Sequence, residues 1–399
     1  MPGQYRHLAP ALARNAQHRV VFITKRSDVD LQGIRRISYG QPKPPAAETH
    51  HYLRLLESAV RHGQEAARRM IELKREGFNP AIVIAHPGWG EALFAKDIWP
   101  AAPLLTYAEY YYHGNGGDIG FDPASPATLD MICRARVRNS HLLLSLEAAD
   151  AAVSPTEWQR SRHPPALQPK IATIFDGIDT RSVRPNPSAR LALGNGLELS
   201  CKDEVISYVA RNLEPHRGFP EFMRALPRIL AARPRAHAVI VGGDEVSYGQ
   251  APAGNHKNWR EAMLAEVDLR PFAGRVHFTG KLPYDRYLAL LQISSLHIYL
   301  TYPFVLSWSC LEAMAAGCLV LASDTPPVTE VIDDDRNGLL FPFFDHAALA
   351  EKATAALAAG KDLERLRTAA RDTIISRYDL QLCLKAQLDQ VARLVSRNS

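Results

Sequence analysis

Residues 295–323 read SLHIYLTYPFVLSWSCLEAMAAGCLVLAS. Two apolar runs, HIYLTY and CLVLAS, have the composition of buried strands, and the segment between them is typical of a loop and a short helix that stops at Gly317. A strand, a helix and a second apolar strand form the repeating unit of parallel α/β sheets. Glu312 is the only charged side chain from Pro303 to Ser323, and burying a carboxylate is costly unless it is paired or hydrogen-bonded. This stretch predicts the fold class and leaves the role of Glu312 to be explained.

The same alternation extends along the rest of the chain. Apolar runs such as HRVVFIT (18–24), PAIVIAH (80–86), APLLTYAEYY (102–111) and AHAVIVGG (236–243) alternate with segments of helical period. Continuous apolar strands of this kind are typical of parallel sheets that are covered on both faces. We therefore predict an α/β protein built from two doubly wound halves, with a cleft between them and ligands at the carboxyl ends of the strands.

A Pro-, Gly-, Asn- and Asp-rich segment at 176–196 marks the domain boundary. We predict an N-terminal domain over 1–178, a C-terminal domain over 179–376 and a final helix over 377–399 that closes one half or crosses back to the other. The chain opens with PGQYRHLAPALAR, which has the pattern of a turn and a helix without a preceding strand. The first N-terminal strand is therefore expected to be missing, through truncation or a misassigned start, unless another strand takes its place.

Composition excludes some classes of protein. The 399 residues carry a net charge of +5, which is too small to indicate a nucleic-acid binder but suits anionic small ligands or a loose contact with an acidic membrane. The five cysteines lack the spacing of metal or redox motifs, which predicts reduced thiols in a cytoplasmic protein. No signal-peptide pattern opens the chain, and Pro303, Glu312 and Gly317 interrupt the one long apolar stretch. A basic amphipathic segment at 61–75 favours a surface helix and leaves open peripheral attachment to the inner face of the membrane.

Two arginines stand near the end of a predicted strand in YVARNLEPHRGF (208–219). Arg211 ends the strand and Arg217 follows six residues later, and the planar arginine fork suits phosphate oxygens. The strand VIVGG ends at Gly243, where a ligand can approach the backbone closely or the chain simply turns. The sequence has no GxGxxG after a strand and no GxxxxGK[ST], so a dehydrogenase and a P-loop NTPase lose their main support.

The helix SCLEAMAAG offers a second anion-binding feature. Ser309 is predicted to cap it, so that free backbone amides face an anion. Glu312 would then lie in the first turn, where the helix dipole favours a carboxylate and where it can accept a hydrogen bond from a ribose hydroxyl. The alternative is that Glu312 only stabilises the end of the helix.

The segment SCLEAMAAGCLVLASDTPPVTEVIDDDRNGLLFPFFDHAALAEK (309–352) resembles the donor-binding signature of family 4 retaining glycosyltransferases of the GT-B fold. ARNLEPHRGF, VHFTGKLPYDRYLALLQISSLHIYLTY, SPTEWQRSRHP and IFDGIDTRSVRPNP are similar to further family segments, and PGQYRHLAPALA and IAHPGWGEALFAKDIWP resemble the N-domain of a bacterial subgroup. The resemblance covers nearly the whole chain. It implies two Rossmann-like domains that face each other across a cleft, with a nucleotide-sugar bound by the C-domain and an acceptor by the N-domain.

The resemblance also implies roles for individual residues. Arg211 and Arg217 would clamp the donor diphosphate, and Glu312 would hydrogen-bond the ribose. The N-terminal loop at Gly3 and Gln4 would lie beside the sugar phosphate. The remaining donor-binding positions implied by the resemblance are Gly243, Lys281, Leu306, Ser307, Trp308, Ser309 and Leu311.

Two positions depart from the family pattern. Family members carry a first glutamate at the position of Phe304, where it contacts the transferred sugar, and the glycine-rich segment after it is replaced by VLSW. The family's N-domain histidine is not clearly matched, and Ala108 stands near its place. His86 and Glu109 are the nearest polar candidates for a catalytic role, although a lone histidine at a strand end is more often structural.

The predicted activity is hexose transfer with retention from a nucleoside-diphosphate sugar, such as a UDP- or GDP-hexose. The acceptor would be a glycan, a lipid-linked or a small molecule in bacterial polysaccharide or glycoconjugate assembly. No cofactor or metal and no nucleic acid is expected. Three alternatives stay open: a non-catalytic partner subunit, favoured by Phe304; a GT-B epimerase; and a metal-dependent transferase that uses the acidic clusters 28–30 or 333–335.

Overall fold

The computed structural model describes residues 3–26, 32–194 and 196–397. The chain divides into two α/β units. Unit 1 takes the N-terminal part of the chain to Gly177 together with the segment from Leu380 onward, and unit 2 is Ile178–Asp379. The last helix thus belongs with the N-terminal half.

Unit 1 contains two parallel sheets. One has the order β3-β4-β5-β6, and the other pairs β1 with β2. The elements are α1 (Leu8–Ala13), β1 (Val20–Thr24), β2 (Ile34–Ser38), α2 (Arg54–Arg75), β3 (Val83–Ala85), α3 (Ala95–Ile98), β4 (Leu104–Tyr107), α4 (Leu129–Arg138), α5 (Ser140–Ala148), β5 (Ala151–Ser154), α6 (Glu157–Ser161), β6 (Ile171–Thr173) and α14 (Leu380–Ser396).

The start of unit 1 is a short turn rather than a strand. Gly3–Tyr5 forms a 3₁₀ turn and leads directly into α1. Within the described residues, no strand pairing joins the β1–β2 sheet to the four-stranded sheet. Phe22 of β1 and Ile84 of β3 instead pack around the buried Tyr5 and Leu8, so the N-terminal turn contributes to the core between the two sheets.

Unit 2 contains a six-stranded parallel sheet of order β11-β10-β9-β12-β13-β14 and an antiparallel hairpin of β7 and β8. The elements are β7 (Arg190–Ala192), β8 (Glu198–Ser200), β9 (Glu204–Asn212), α7 (Phe219–Ala232), β10 (Ala236–Gly243), α8 (Trp259–Glu266), β11 (Val276–Gly280), α9 (Tyr284–Ile293), β12 (Leu296–Tyr299), α10 (Trp308–Ala315), β13 (Val320–Ser323), α11 (Pro326–Thr329), β14 (Leu339–Phe341), α12 (His346–Ala359) and α13 (Glu364–Arg377).

The stretch 295–323 folds as predicted. Every residue of β12 and β13 is buried, and the two strands pair in parallel with α10 between them in sequence. Gly317 ends the helix with a φ of 83°. The α/β class with parallel sheets is confirmed, and the carboxyl ends of β9, β12 and β13 meet at one edge of the sheet in unit 2.

Candidate functional site

Arg217 lies in a 3₁₀ turn (Pro215–Arg217) that follows β9 in unit 2, and it is only 8% exposed. Its Nη1 donates to Thr301 Oγ1 at 2.7 Å and to the Val305 carbonyl at 2.9 Å. Among the described residues, the guanidinium forms no ion pair with a carboxylate. A buried cation that only neutral acceptors hold is poorly compensated, so the surroundings favour an anionic ligand.

Glu214 anchors the loop that follows β10. This carboxylate is fully buried, and its Oε2 accepts hydrogen bonds from the backbone amides of Ser247, Tyr248 and Gly249 at 3.3, 3.0 and 3.2 Å. The anchored loop holds the Tyr248 ring over Arg217, with 5.3 Å from Cζ to the ring centroid. Glu214 therefore fixes one wall of the pocket around Arg217.

Phe304 is buried in an aromatic cluster. Its ring packs edge-on against Tyr248 at 5.2 Å and against His216 at 6.2 Å, and His216 stacks on Tyr302 at 4.8 Å. The position that carries a carboxylate in the resembling family is thus apolar here and only 4% exposed. The side chain at this position therefore offers no polar contact to a ligand.

The start of α10 differs from the prediction. Ser307, not Ser309, is the N-cap residue, and its side chain accepts from the Ser309 amide at 3.3 Å. The prediction that Glu312 lies in the first turn is therefore wrong, because the helix begins at Trp308 and its first turn has no acidic residue. The helix dipole consequently does little for Glu312.

Hydrogen bonds from two tyrosines hold Glu312 instead. Tyr284 donates to Oε1 at 2.8 Å and Tyr287 donates to Oε2 at 2.7 Å, and both tyrosines come from α9. The carboxylate is 5% exposed. Each oxygen of the buried carboxylate thus has one hydroxyl donor, which stabilises its charge.

The other predicted donor-site residues have the following positions. Arg211 is exposed in β9 and has no hydrogen-bond or ion-pair partner in the described part of the chain. Lys281 forms an ion pair with Glu245 at 2.8 Å. Both side chains pack against Gly243, where a Cβ would collide with them. The Ser307 amide donates to the Tyr299 hydroxyl at 2.9 Å, so the amides of two predicted donor-binding positions, Ser307 and Ser309, have internal partners. Leu306 and Leu311 are buried, and Trp308 is partly exposed.

Unit 1 brings His86, Glu109 and Gln4 together. His86 follows β3 and accepts the Gly88 amide on Nδ1 at 3.0 Å, so the neutral ring carries its proton on Nε2. That nitrogen lies 3.4 Å from Glu109 Oε2, and Gln4 donates to Glu109 Oε1 at 3.2 Å. The Tyr107 ring stacks on the imidazole at 5.4 Å. Gly3 belongs to the same turn as Gln4.

A cavity of about 230 Å³ opens beside this group. Trp89, whose side chain is 52% exposed, tilts against His86 at 5.3 Å. The lining also includes Tyr110, Tyr111, Tyr112, Arg138, His141 and His163. Aromatic faces with a few convergent polar groups are typical of small-molecule sites.

His163 makes the stability of unit 1 depend on pH. Burial lowers the pKa of His163 to about 4, against about 6.5 in an unfolded chain. Between these values the unfolded state binds a proton that the native state does not, so the free energy of unfolding falls as the pH drops from 6.5 to 4, by about 3 kcal/mol from this residue. We expect the free energy of unfolding of His163→Gln to fall less than that of the wild type between pH 7 and pH 4.5, as measured by urea unfolding. The exposed His18→Gln is the control, and equal losses in both variants would contradict the assignment.

The acidic cluster 333–335 does not resemble a metal site. In residues 333–335, Asp333 pairs with Arg336, Asp334 with Lys352 and Asp335 with Arg365. Residues 28–30 lie outside the described residues. Across the part of the chain that the structure describes, no group of three or more His, Cys, Asp or Glu side chains is arranged to hold a metal ion.

The basic segment 61–75 lies on α2, where acidic neighbours neutralise much of its charge. Arg61 pairs with Glu57, Arg68 with Glu65 and Arg69 with Glu72. Of the helices in residues 3–26, 32–194 and 196–397, none is both long and apolar enough to cross a bilayer.

Both halves of the chain are similar in sequence to known families. Residues 16–183 match the glycosyl transferase family 4 group, and residues 197–373 match the glycosyl transferases group 1. The chain belongs to the family 4 glycosyltransferases. The first match covers most of unit 1 and runs to residue 183, just inside unit 2, and the second lies within unit 2, so both halves of the chain carry the family's sequence pattern.

Two curated relatives of this glycosyltransferase family are similar in sequence. The D-inositol 3-phosphate glycosyltransferase of Streptomyces avermitilis is 24% identical over 272 residues, which is 62% of this chain and 56% of the relative. The enzyme of the same name from Streptomyces scabiei is 26% identical over 215 residues, 51% of this chain and 45% of the relative. The chain thus matches only about half the length of these relatives.

Solved structures establish the GT-B fold. Sucrose-phosphate synthase from Thermosynechococcus elongatus superposes with a TM-score of 0.70 at 17% identity, covering 99% of this chain and 93% of that one. Anabaena HepE in complex with UDP-glucose gives a TM-score of 0.61 at 15% identity, covering 92% and 86%. The prediction of a GT-B protein with two α/β domains is confirmed.

Sequence reasoning missed several residues that shape the site. Glu214, Tyr248, Tyr284 and Tyr287 were not singled out, although Glu214 lies between the two predicted arginines. A buried glutamate in a turn has no local signature. The tyrosines stand 28 and 25 positions before Glu312, and only the packing of α9 on α10 brings them together.

Proposed function

We propose that this protein transfers a hexose from a nucleoside-diphosphate sugar to a hydroxyl acceptor, with retention at the anomeric carbon. The observation that carries the proposal is Arg217, a buried guanidinium without a described carboxylate partner at the carboxyl edge of a parallel sheet. Such edges are the usual ligand sites of doubly wound folds. The crystal structures of Anabaena HepE with UDP-glucose and with UDP support a nucleotide-sugar in a related fold.

The departing diphosphate would be stabilised by preorganised positive charge. Arg217 is already fixed by Thr301 and Val305, so it needs little reorganisation when negative charge develops on the leaving group. Arg211 is exposed and supplies a second, adaptable cation, and the amino end of α10 adds its dipole. Glu312 accepts a hydrogen bond from a ribose hydroxyl and thereby orients the nucleoside.

The acceptor would bind in the cavity of unit 1. Trp89 offers an exposed aromatic face. In the His86–Glu109 pair, a carboxylate of fixed orientation can accept a hydrogen bond from a hydroxyl of the acceptor. These groups suit a polyhydroxylated molecule, whether a glycan, a lipid-linked sugar or a small molecule. The resemblance to a bacterial subgroup supports a role in polysaccharide or glycoconjugate assembly. The acceptor's proton passes to the leaving phosphate, so a separate protein base is unnecessary. We propose that the two arginines stabilise the diphosphate without a metal or cofactor, and loss of activity in EDTA would contradict this mechanism.

Nucleotide binding tests the proposal directly. We expect UDP, GDP or ADP to raise the Tm of the protein, and Arg211→Ala to reduce that shift because it removes an exposed cation from the diphosphate. A weakening of about tenfold in Kd is expected for one charge-assisted contact. Arg235→Ala is the matched control, since Arg235 is also exposed but precedes β10 at the amino edge of the same sheet.

The outcomes of this experiment separate the candidate functions. An equal effect of the two arginine variants would argue against the proposed diphosphate site. If no nucleotide binds to the wild-type protein, the proposed function fails. When a nucleotide does bind, incubation with the matching sugar donors and NMR analysis of the product's anomeric configuration tests transfer with retention.

A second candidate is a binding subunit that holds a nucleotide without turnover. Phe304 motivates it, because a buried aromatic ring replaces a family carboxylate at the sugar. Phe304→Glu distinguishes the two: if the wild type binds donor but neither transfers nor hydrolyses it, and the variant gains activity, the chain is a binding subunit. Turnover by the wild type excludes this candidate.

A further inference from the structure

Glu312 presents its two carboxylate oxygens to two tyrosines that differ in their surroundings. Tyr287 holds Oε2 at 2.7 Å, and Tyr284 holds Oε1 at 2.8 Å. Within the described residues the carboxylate forms no ion pair, so its buried charge depends on these two neutral donors. Losing either hydroxyl without a replacement leaves a buried oxygen short of a donor.

Of the two tyrosines, Tyr284 can break its hydrogen bond to Glu312 more easily. It is the first residue of α9 and is 50% exposed, whereas Tyr287 lies one turn further along the helix and is partly buried. Terminal helical residues open at low free-energy cost. The half-exposed Tyr284 ring, whose centroid lies 5.7 Å from that of Tyr287, can therefore turn toward water. Oε1 can thus become accessible while Oε2 keeps its partner.

We propose that Tyr284 is a placeholder, which occupies Oε1 of Glu312 until a nucleotide's ribose hydroxyl displaces it. This inference rests on the proposed function, in which Glu312 receives the ribose. The exchange replaces one hydroxyl donor by another at the same oxygen, so the buried carboxylate keeps its hydrogen bonds throughout. Tyr284 is a positioning residue here and takes no part in bond breaking.

The placeholder lowers nucleotide affinity. If Oε1 is closed in most molecules, the apparent Kd equals the intrinsic Kd of the open site divided by the fraction of open molecules. Removing the Tyr284 hydroxyl opens Oε1 permanently. A nucleotide without ribose hydroxyls cannot donate a hydrogen bond to Oε1. Its affinity therefore does not rise when the Tyr284 hydroxyl is removed.

Isothermal titration of the full chain tests the inference. The probe is whichever of UDP, GDP and ADP binds the wild-type protein, with its 2′,3′-dideoxy analogue as the comparison. We expect Tyr284→Phe to bind the ribonucleotide about tenfold more tightly, which corresponds to about 1.4 kcal/mol for a hydrogen bond to a charged group. The gain should vanish with the dideoxy nucleotide. Tyr287→Phe is the matched control and should show no gain, because no ligand competes for Oε2.

Each outcome decides between the two proposals. Equal or weaker ribonucleotide binding by Tyr284→Phe means that phenol and ribose do not compete, which overturns the placeholder and leaves the proposed function standing. A gain that persists with the dideoxy nucleotide overturns it as well. If the wild type binds none of the three nucleotides, the proposed function itself fails. Thermal unfolding without ligand verifies that both variants fold.

Discussion

Replacing Arg217 with methionine is expected to lower kcat/KM for the sugar donor by roughly 100- to 1,000-fold, the cost of one preorganised electrostatic donor in a transition state. Methionine fills the apolar part of the space but carries no charge toward the leaving diphosphate. It also leaves Thr301 and the Val305 carbonyl without the donor that now lies 2.7 and 2.9 Å away. Steady-state kinetics with the donor that nucleotide binding identifies provide the measurement.

Arg217→Lys is the control for this result. Lysine keeps the positive charge but loses the planar fork, so it should retain much more activity than methionine. Both variants are measured well below their Tm, because Arg217 also holds the 301–305 segment and its loss reduces stability. If Arg217→Met kept activity within a few-fold of wild type, the electrostatic role proposed for this residue would be wrong.

Replacing Gly90 with alanine is expected to lower the free energy of unfolding of unit 1 by about 3 kcal/mol, the sum of left-handed backbone strain and overpacking. Gly90 has a φ of 99°, and a Cβ there would lie 2.1 Å from the Ala59 carbonyl oxygen of α2. Backbone of a helix cannot move aside as a side chain can. Gly90 also ends the turn that begins at His86, so the His86–Glu109 pair should be disturbed as well.

Gly77→Ala separates strain from collision. Gly77 has a φ of 80°, but a Cβ at this position would meet no other atom within 4 Å, so only the strain of about 1 kcal/mol applies. Urea unfolding of the two variants gives the comparison. Equal losses of stability would show that the close approach of Gly90 to α2 is unimportant.

The parts of the fold that could be predicted are those with continuous local patterns. The strands around α10 are short apolar runs with buried neighbours on both faces, and such runs identify parallel strands directly. By contrast, β2 (Ile34–Ser38) contains two arginines and pairs only with β1 among the described strands, so its pattern is too polar to stand out. The N-cap error had a similar local cause, since Ser307 and Ser309 are both good capping residues two positions apart.

Two site residues of unit 1 were predicted because family resemblance pointed to their part of the chain. His86 and Glu109 were the polar residues nearest the place of the family's N-domain histidine, and their contact follows from the adjacent carboxyl ends of β3 and β4. The role of Gln4 came from family resemblance. The partners of Glu312 were not predictable, because which polar groups of two helices meet depends on how those helices pack.

The division of the chain has a consequence for its synthesis. Unit 2 is one uninterrupted segment whose ends are joined, since the Ile178 amide donates to the Tyr378 carbonyl at 2.8 Å. Unit 1 needs Val391 and Leu394 of α14 to cover the same cluster as Leu105 of β4. On the ribosome, unit 2 is therefore complete before unit 1, although unit 1 is encoded first. Until α14 emerges, the nascent chain exposes apolar surface that chaperones recognise.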